Sequence, residues 1–245
     1  MGAEGAQRGG PEINHYLECE KRHIYSLMML VGGYLGAFTY SIRGGVFCNA
    51  QTGNFVLLAM ALGNGEWLRA LYFLIPISAY CLGAFVSEAA EGRRLRRIRW
   101  ETALVLFEMV VVFFLGALPE HAPVQITQIL INFICSMQYN TFRQARGIPM
   151  ATTFCTNHIR QVGVSLYHVL AHPKEGGMHL QRSLVHLGML GAFVAGGVCS
   201  AYLCRFCLGK SLWFTEIPLG IVLADLLNAD LRKEKGRLDQ IPHGH

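Results

Sequence analysis

The sequence predicts an all-α fold, a polytopic helical membrane protein of six to eight transmembrane helices arranged as two parallel four-helix repeats. Three observations lead there. Of 245 residues, 52% are hydrophobic and only 15% charged, too apolar a balance for a soluble domain of this length. Apolar runs of about 20 residues, the length a helix needs to cross a bilayer, recur between turn signals from residue 24 to residue 227. An internal match links the two halves of the chain.

The spans follow in order. The first covers residues 24–42 and ends at Arg43-Gly44-Gly45; the second, 47–62, ends at Gly63-Asn64-Gly65. A third runs over 68–90, a basic loop follows, and a fourth covers 102–118 before the turn from Pro119 to Pro123. The fifth is 124–142, the sixth a polar segment from Met150 to Ala171, and the seventh 184–204. The eighth, 212–227, is short and carries Pro218. A polar tail is expected over 1–22, one integral membrane domain over 23–228 and a second polar tail over 229–245. The first 23 residues lack a charged start, short apolar core and cleavage site, so no cleaved signal peptide is expected.

Leu82-Gly83-Ala84-Phe85-Val86 recurs as Leu190-Gly191-Ala192-Phe193-Val194. The same offset pairs Leu95 with Leu203, Arg97 with Arg205, Leu104 with Leu212, Glu108 with Glu216, Leu115 with Leu223 and Leu118 with Leu226. An ungapped match that carries an Arg and a Glu is hard to obtain from apolar composition alone, so a duplication is inferred, over 23–118 and 123–228. With four spans between equivalent positions, the halves would share one orientation.

Two spans are unusually polar. The second holds Asn49, Gln51, Thr52, Gly53 and Asn54, and the sixth holds Thr152, Thr153, Thr156, Asn157, His158, Arg160 and Gln161. Amides and hydroxyls in a bilayer are costly unless something satisfies or uses them, and polar-interrupted spans in corresponding positions of two halves point to a transport site. Asn49, Gln51, Thr52, Gly53 and Asn54 would form one half-site, and Thr153, Thr156, Asn157 and Arg160 the other. Glu108, deep in the fourth span, and Glu216 near the start of the eighth are candidate proton-coupling or counter-charge groups, with Arg160 as a partner for either.

Other classes fit less well. Five of the basic residues behind the net charge of +5 sit between Arg93 and Arg99, which is a topology or lipid-headgroup signal, so nucleic acid is not an expected partner. Counting short loops favours the face with Arg43, the basic loop, Arg143, Arg146, Arg205 and Lys210 as cytoplasmic, while Lys21, Arg22 and the Arg232 to Arg237 cluster near the termini almost cancel the bias. The eight cysteines lie mostly in apolar runs and contain one CxxC, Cys204 to Cys207, which is weak evidence for metal or redox work. His168 and His172 have i, i+4 spacing, but no acidic or cysteine ligand follows them at a characteristic distance. No metal, cofactor or catalytic constellation is expected, and the chain reads as a non-enzyme. Its small size is compatible with a homodimer.

The string from Arg43 to Asn54, RGGVFCNAQTGN, preceded by Gly33 to Tyr40, GYLGAFTY, resembles the YoaK family of bacterial inner-membrane proteins, a domain-of-unknown-function family. The likeness extends through Met137-Gln138-Tyr139-Asn140 and Ala151 to Thr156. Family members carry a second segment similar to TTxxTGNLR; here Asn157, His158 and Ile159 replace Gly, Asn and Leu, while Arg160 is kept. The resemblance implies multi-pass residence in a bacterial inner membrane and supplies no substrate. Together these readings lead to the expectation of a transporter or channel for a small polar solute or ion, coupled to protons. The alternative is a non-transporting scaffold or sensor whose polar spans bind a partner helix or lipid.

Overall fold

The computed structural model describes residues 16–91, 94–95, 97–172 and 176–243; Arg93 and Arg96 of the basic loop lie outside them. The fold is all-α: α1 (Arg22–Ile42), α2 (Gln51–Gly63), α3 (Trp67–Ala90), α4 (Trp100–Gly116), α5 (Val124–Thr141), α6 (Thr156–Ala171), α7 (Gly176–Cys207) and α8 (Glu216–Asn228). Among the described residues, two stretches, Trp67–Ala90 and the helical run Gly176–Lys233, are long and apolar enough to cross a membrane. Two-residue hairpins β1–β2 (Arg94–Leu95, Ile98–Arg99) and β3–β4 (Gln144–Ala145, Ile148–Pro149) turn the chain between α3 and α4 and after α5.

Contacts at the helix ends fix their directions. At one end of the bundle Glu18 N–H donates to Glu234 (2.9 Å), Arg99 N–H to Asp230 (2.9 Å) and Arg146 N–H to the Glu20 carbonyl (3.1 Å). At the other, Arg43 pairs with Glu120 (3.1 Å), Glu120 accepts from Gly209 N–H (2.8 Å), and Gln128 donates to the Arg43 carbonyl (2.7 Å). Helices α1, α4 and α7 therefore run from the first end to the second, and α3, α5 and α8 run back, so Arg43, Arg205 and Lys210 lie at the end opposite Arg99, Arg143 and Arg146 and not on one common side as expected.

The expected parallel relation between the halves does not hold. Its premise was four spans per half, but the helices of the second and sixth segments start part-way along the bundle. After α1 the chain turns back over residues 43–50, and α2 begins inside the bundle with 13 residues, about 20 Å of helix. After β4 the chain re-enters from the opposite end over 150–155 before α6 starts at Thr156. Three helices that run the length of the bundle remain on each side, and α1 and α5, α3 and α7, α4 and α8 each point opposite ways.

Other boundaries also move. The seventh helix begins at Gly176 rather than at 184 and runs 32 residues. The eighth span divides into a 3-10 stretch, Leu208–Thr215, and α8. Pro218 sits in the first turn of α8, where its missing N–H breaks no bond. Where they are described, the expected polar tails pack on the bundle: Glu18, Glu20 and Asp230 are buried.

Packing depends on close backbone approach. A Cβ on Gly33 would strike the carbonyl of Phe193, and one on Gly196 the carbonyl of Leu30, so α1 and α7 touch backbone to backbone. Gly83 meets the Phe133 carbonyl in the same way between α3 and α5.

Candidate functional site

The two re-entrant segments reach the same turn of α1. Asn49 Nδ2 donates to the Gly32 carbonyl (2.9 Å), and the Thr152 carbonyl lies 2.6 Å from where a Gly32 Cβ would stand. Gly36, one turn on, leaves room for the Asn49 amide itself. Small residues on α1 are thus what admit irregular backbone to the interior of the bundle.

Helix α5 supplies the polar groups that hold these segments. Gln128, Asn132 and Ser136 recur every four residues and are all fully buried, while Ile126 and Ile129 face outward. Gln128 holds the Arg43 carbonyl, Asn132 accepts from Gln51 Nε2 (2.8 Å), and Gln138 donates to the Met28 carbonyl (3.2 Å) and toward the Thr152 carbonyl (3.5 Å). The sequence reading overlooked this stripe, although its i, i+4, i+8 spacing in an apolar helix was visible.

Between α1, α7 and the two re-entrant segments lies a cavity of about 510 Å³, with Gly36, Asn49, Thr153, Thr156 and Phe193 among its lining residues. Ala50 and Cys155, the N-cap residues of α2 and α6, also line it, and neither caps its helix through a side chain. Both half-helices therefore turn their N-termini, with the partial positive charge of the helix dipole, toward one space. Thr153 is fully buried in its wall. Its Oγ1 lies toward the Tyr80 hydroxyl without reaching hydrogen-bond geometry, and it has no partner among the described residues.

The remaining sequence-selected residues divide. Asn54 is fully buried and clasps the turn before α2: its Oδ1 accepts from Phe47 N–H (3.1 Å), and its Nδ2 donates to the Phe47 carbonyl (2.7 Å) and Gln51 Oε1 (2.9 Å). Gly53 packs under the Phe47 ring, where a Cβ would sit 3.0 Å away. Thr52 is exposed, and Asn157 accepts a long bond from Arg160 (3.5 Å). Arg160 itself is exposed, so the pairing with Glu108 or Glu216 does not occur. Glu108 is buried beside Cys135, and Glu216 is half-buried in the first turn of α8; in each, Oε1 lacks a partner among the described residues. Neither lines the cavity.

Two histidines, not grouped by the sequence reading, meet between α6 and α7. His158 Nδ1 and His186 Nδ1 are 2.9 Å apart, and His158 Nε2 is 2.8 Å from the Ala151 carbonyl. His168 instead stacks on His172 and His179. Glu18, His23 and Asp225 bring potential ligand atoms within 4.8 Å of one another, but His23 already pairs with Asp225 (3.0 Å) and Glu18 with Lys21 (2.8 Å).

The arrangement defines a helical protein in which two half-helices, entering the bundle from opposite ends, share one open-sided cavity. The chain belongs to the DUF1275 family, described as a protein of unknown function, whose profile matches residues 24–224; the resemblance drawn from residues 43–54 is to the YoaK-like proteins associated with this family. No curated protein and no solved structure matches the chain.

Proposed function

We propose that this protein is a multi-pass inner-membrane carrier for a small polar solute that bears an acceptor or anionic group, built from two inverted halves. One observation carries the reading: two half-helices enter from opposite ends of the bundle and present uncapped N-termini to a single cavity. Inverted repeats with broken helices at their interface are the architecture of many carriers, in which half-helix N-termini bind anionic groups and the halves rock around a fixed site. The polar stripe of α5, turned inward beneath an apolar exterior, supports membrane residence. The offset that aligns Leu82 to Leu118 with Leu190 to Leu226 places α3 on α7, and α4 on the run from Leu208 through α8. Pairs of opposite direction are what an inverted duplication produces.

Asn49, Thr153 and Thr156 are the contact residues in this reading, and lipid is the surrounding partner. No enzymatic step is assigned.

A scaffold or sensor is favoured by a different observation. Gln51 and Asn54 satisfy the chain's own backbone and side chains, as interhelical packing alone would require. Flux in proteoliposomes separates the two. Uptake of small carboxylates and other polar metabolites should appear with the intact protein, fall with Thr153→Val and Thr156→Val, and persist with Thr52→Ala. Absence of flux for every solute, with all variants folded and inserted, would overturn the carrier reading in favour of the scaffold.

A further inference from the structure

The His158–His186 pair has a protonation state dictated by its partners. His158 Nε2 faces the Ala151 carbonyl (2.8 Å), which can only accept, so Nε2 carries the hydrogen. A neutral imidazole has one N–H, which leaves His158 Nδ1 bare. Across 2.9 Å, His186 Nδ1 must then donate. It follows that His186 Nε2 is unprotonated; it is also buried and has no partner among the described residues.

We propose that His186 Nε2 is a single-proton binding site, and that the histidine pair transmits its occupancy to the re-entrant segment 150–155. A proton added there leaves every existing bond of the pair in place. A second proton would have to enter His158 Nδ1 and set two N–H groups against each other, so the pair holds one. The positive charge on His186 polarises His158 and strengthens its bond to Ala151, the residue before Thr152 and the cavity-lining Thr153. The titratable or charged groups facing the pair from the described residues are each histidine toward the other, across α6 and α7, and Arg182 one turn earlier on α7. No described acid offsets the added charge, so an acceptor, water or an anionic solute, must reach Nε2 when the proton is held. This deepens the carrier reading, but the protonation itself is read without any solute.

The test is nitrogen-15 NMR of histidine-labelled protein in lipid bilayers, with His158→Gln and His186→Asn used for assignment. The expected spectrum shows His158 with hydrogen on Nε2 and His186 in the less common Nδ1–H form; on acidification His186 becomes doubly protonated while His158 stays neutral. His186 carrying hydrogen on Nε2 at neutral pH, or both rings titrating independently, would overturn the assignment. Asn in place of His186 keeps a donor toward His158 and removes the proton site. Site-resolved alkylation of the native Cys155, which lines the same cavity, should depend on pH differently in wild type and His186→Asn. Rates whose ratio between the two proteins stays constant with pH would refute transmission to the segment, because the ordinary thiol titration cancels in that ratio.

Discussion

Asn49 and Thr152, 103 positions apart in the chain, meet α1 at one residue, Gly32: the first through its side-chain amide at 2.9 Å, the second through its backbone carbonyl. Each sits at the tip of a segment that enters from a different end of the bundle. The centre of the protein is therefore irregular backbone from both halves, laid against a helix whose side chains are small enough to admit it.

That packing makes the α1 glycines sensitive. Gly33→Ala sets a methyl against the Phe193 carbonyl, a backbone atom that cannot swing aside. A loss of about 1–3 kcal/mol is expected, as for other overpacked sites. Gly191→Ala, with nothing within 4 Å of the new atom, should leave the melting temperature unchanged or slightly higher. Thermal unfolding in detergent compares the two.

Asn54 acts in the turn, not at the cavity. Asn54→Ala strands the Phe47 N–H and carbonyl in the interior, and about 1–3 kcal/mol of stability should be lost for each unsatisfied group. Asn54→Asp keeps an acceptor for Phe47 N–H but has no donor for its carbonyl, so it should not restore the wild-type melting temperature. Thr52→Ala, two positions earlier and exposed, should lie within about 0.5 kcal/mol of wild type. An equal effect of Ala at 52 and 54 would contradict this assignment.

The buried ion network ties the C-terminal segment to the bundle. Arg99 reaches Glu234 (2.5 Å) and the Arg237 carbonyl (2.7 Å), while Asp230 accepts from Arg99 N–H and from Thr102 (2.6 Å). Arg99→Met leaves two buried carboxylates without their cation, at a cost of about 3–5 kcal/mol. Limited proteolysis should then release the segment after Asn228. Arg69→Met, which breaks the exposed pair with Glu66 (3.0 Å), should not change the digestion pattern.

Cys19 should be chemically silent in the folded protein. Burial, reinforced by the nearby Glu101 carboxylate, pushes its thiol well above the ordinary range, so the thiolate that alkylating agents attack is scarce. Mass spectrometry after maleimide treatment at mildly alkaline pH should find Cys19 unmodified until the chain is unfolded. The unfolded thiol loses its proton first as pH rises. This group's contribution to stability is therefore complete below the unfolded value and is lost as pH climbs toward the folded one.

Much of this was legible in the residues. Apolar runs placed α1, α3, α4 and α5 to within a few positions, because burial in a helix or a bilayer demands a long uninterrupted stretch. The polar clusters at 49–54 and 152–161 marked the two segments that break the regular pattern, since buried amides and hydroxyls signal backbone or ligand to be satisfied. Asn49, Thr153 and Thr156 do line one cavity, whereas Asn54 and Arg160 belong elsewhere, because composition gives a segment's polarity but not which way each side chain turns.

The sequence by itself determined a helical class, the family and the two unusual segments, all of which follow from local hydropathy and local motif. Only the tertiary structure decided that the helices of those segments start part-way along the bundle, so that α1 and α5, α3 and α7, α4 and α8 point opposite ways. It alone also joined His158 to His186 and Arg99 to Asp230 and Glu234. Such partners lie 28 to 135 residues apart, and their pairing depends on where glycines let backbones approach, a relation between distant surfaces that no local pattern encodes.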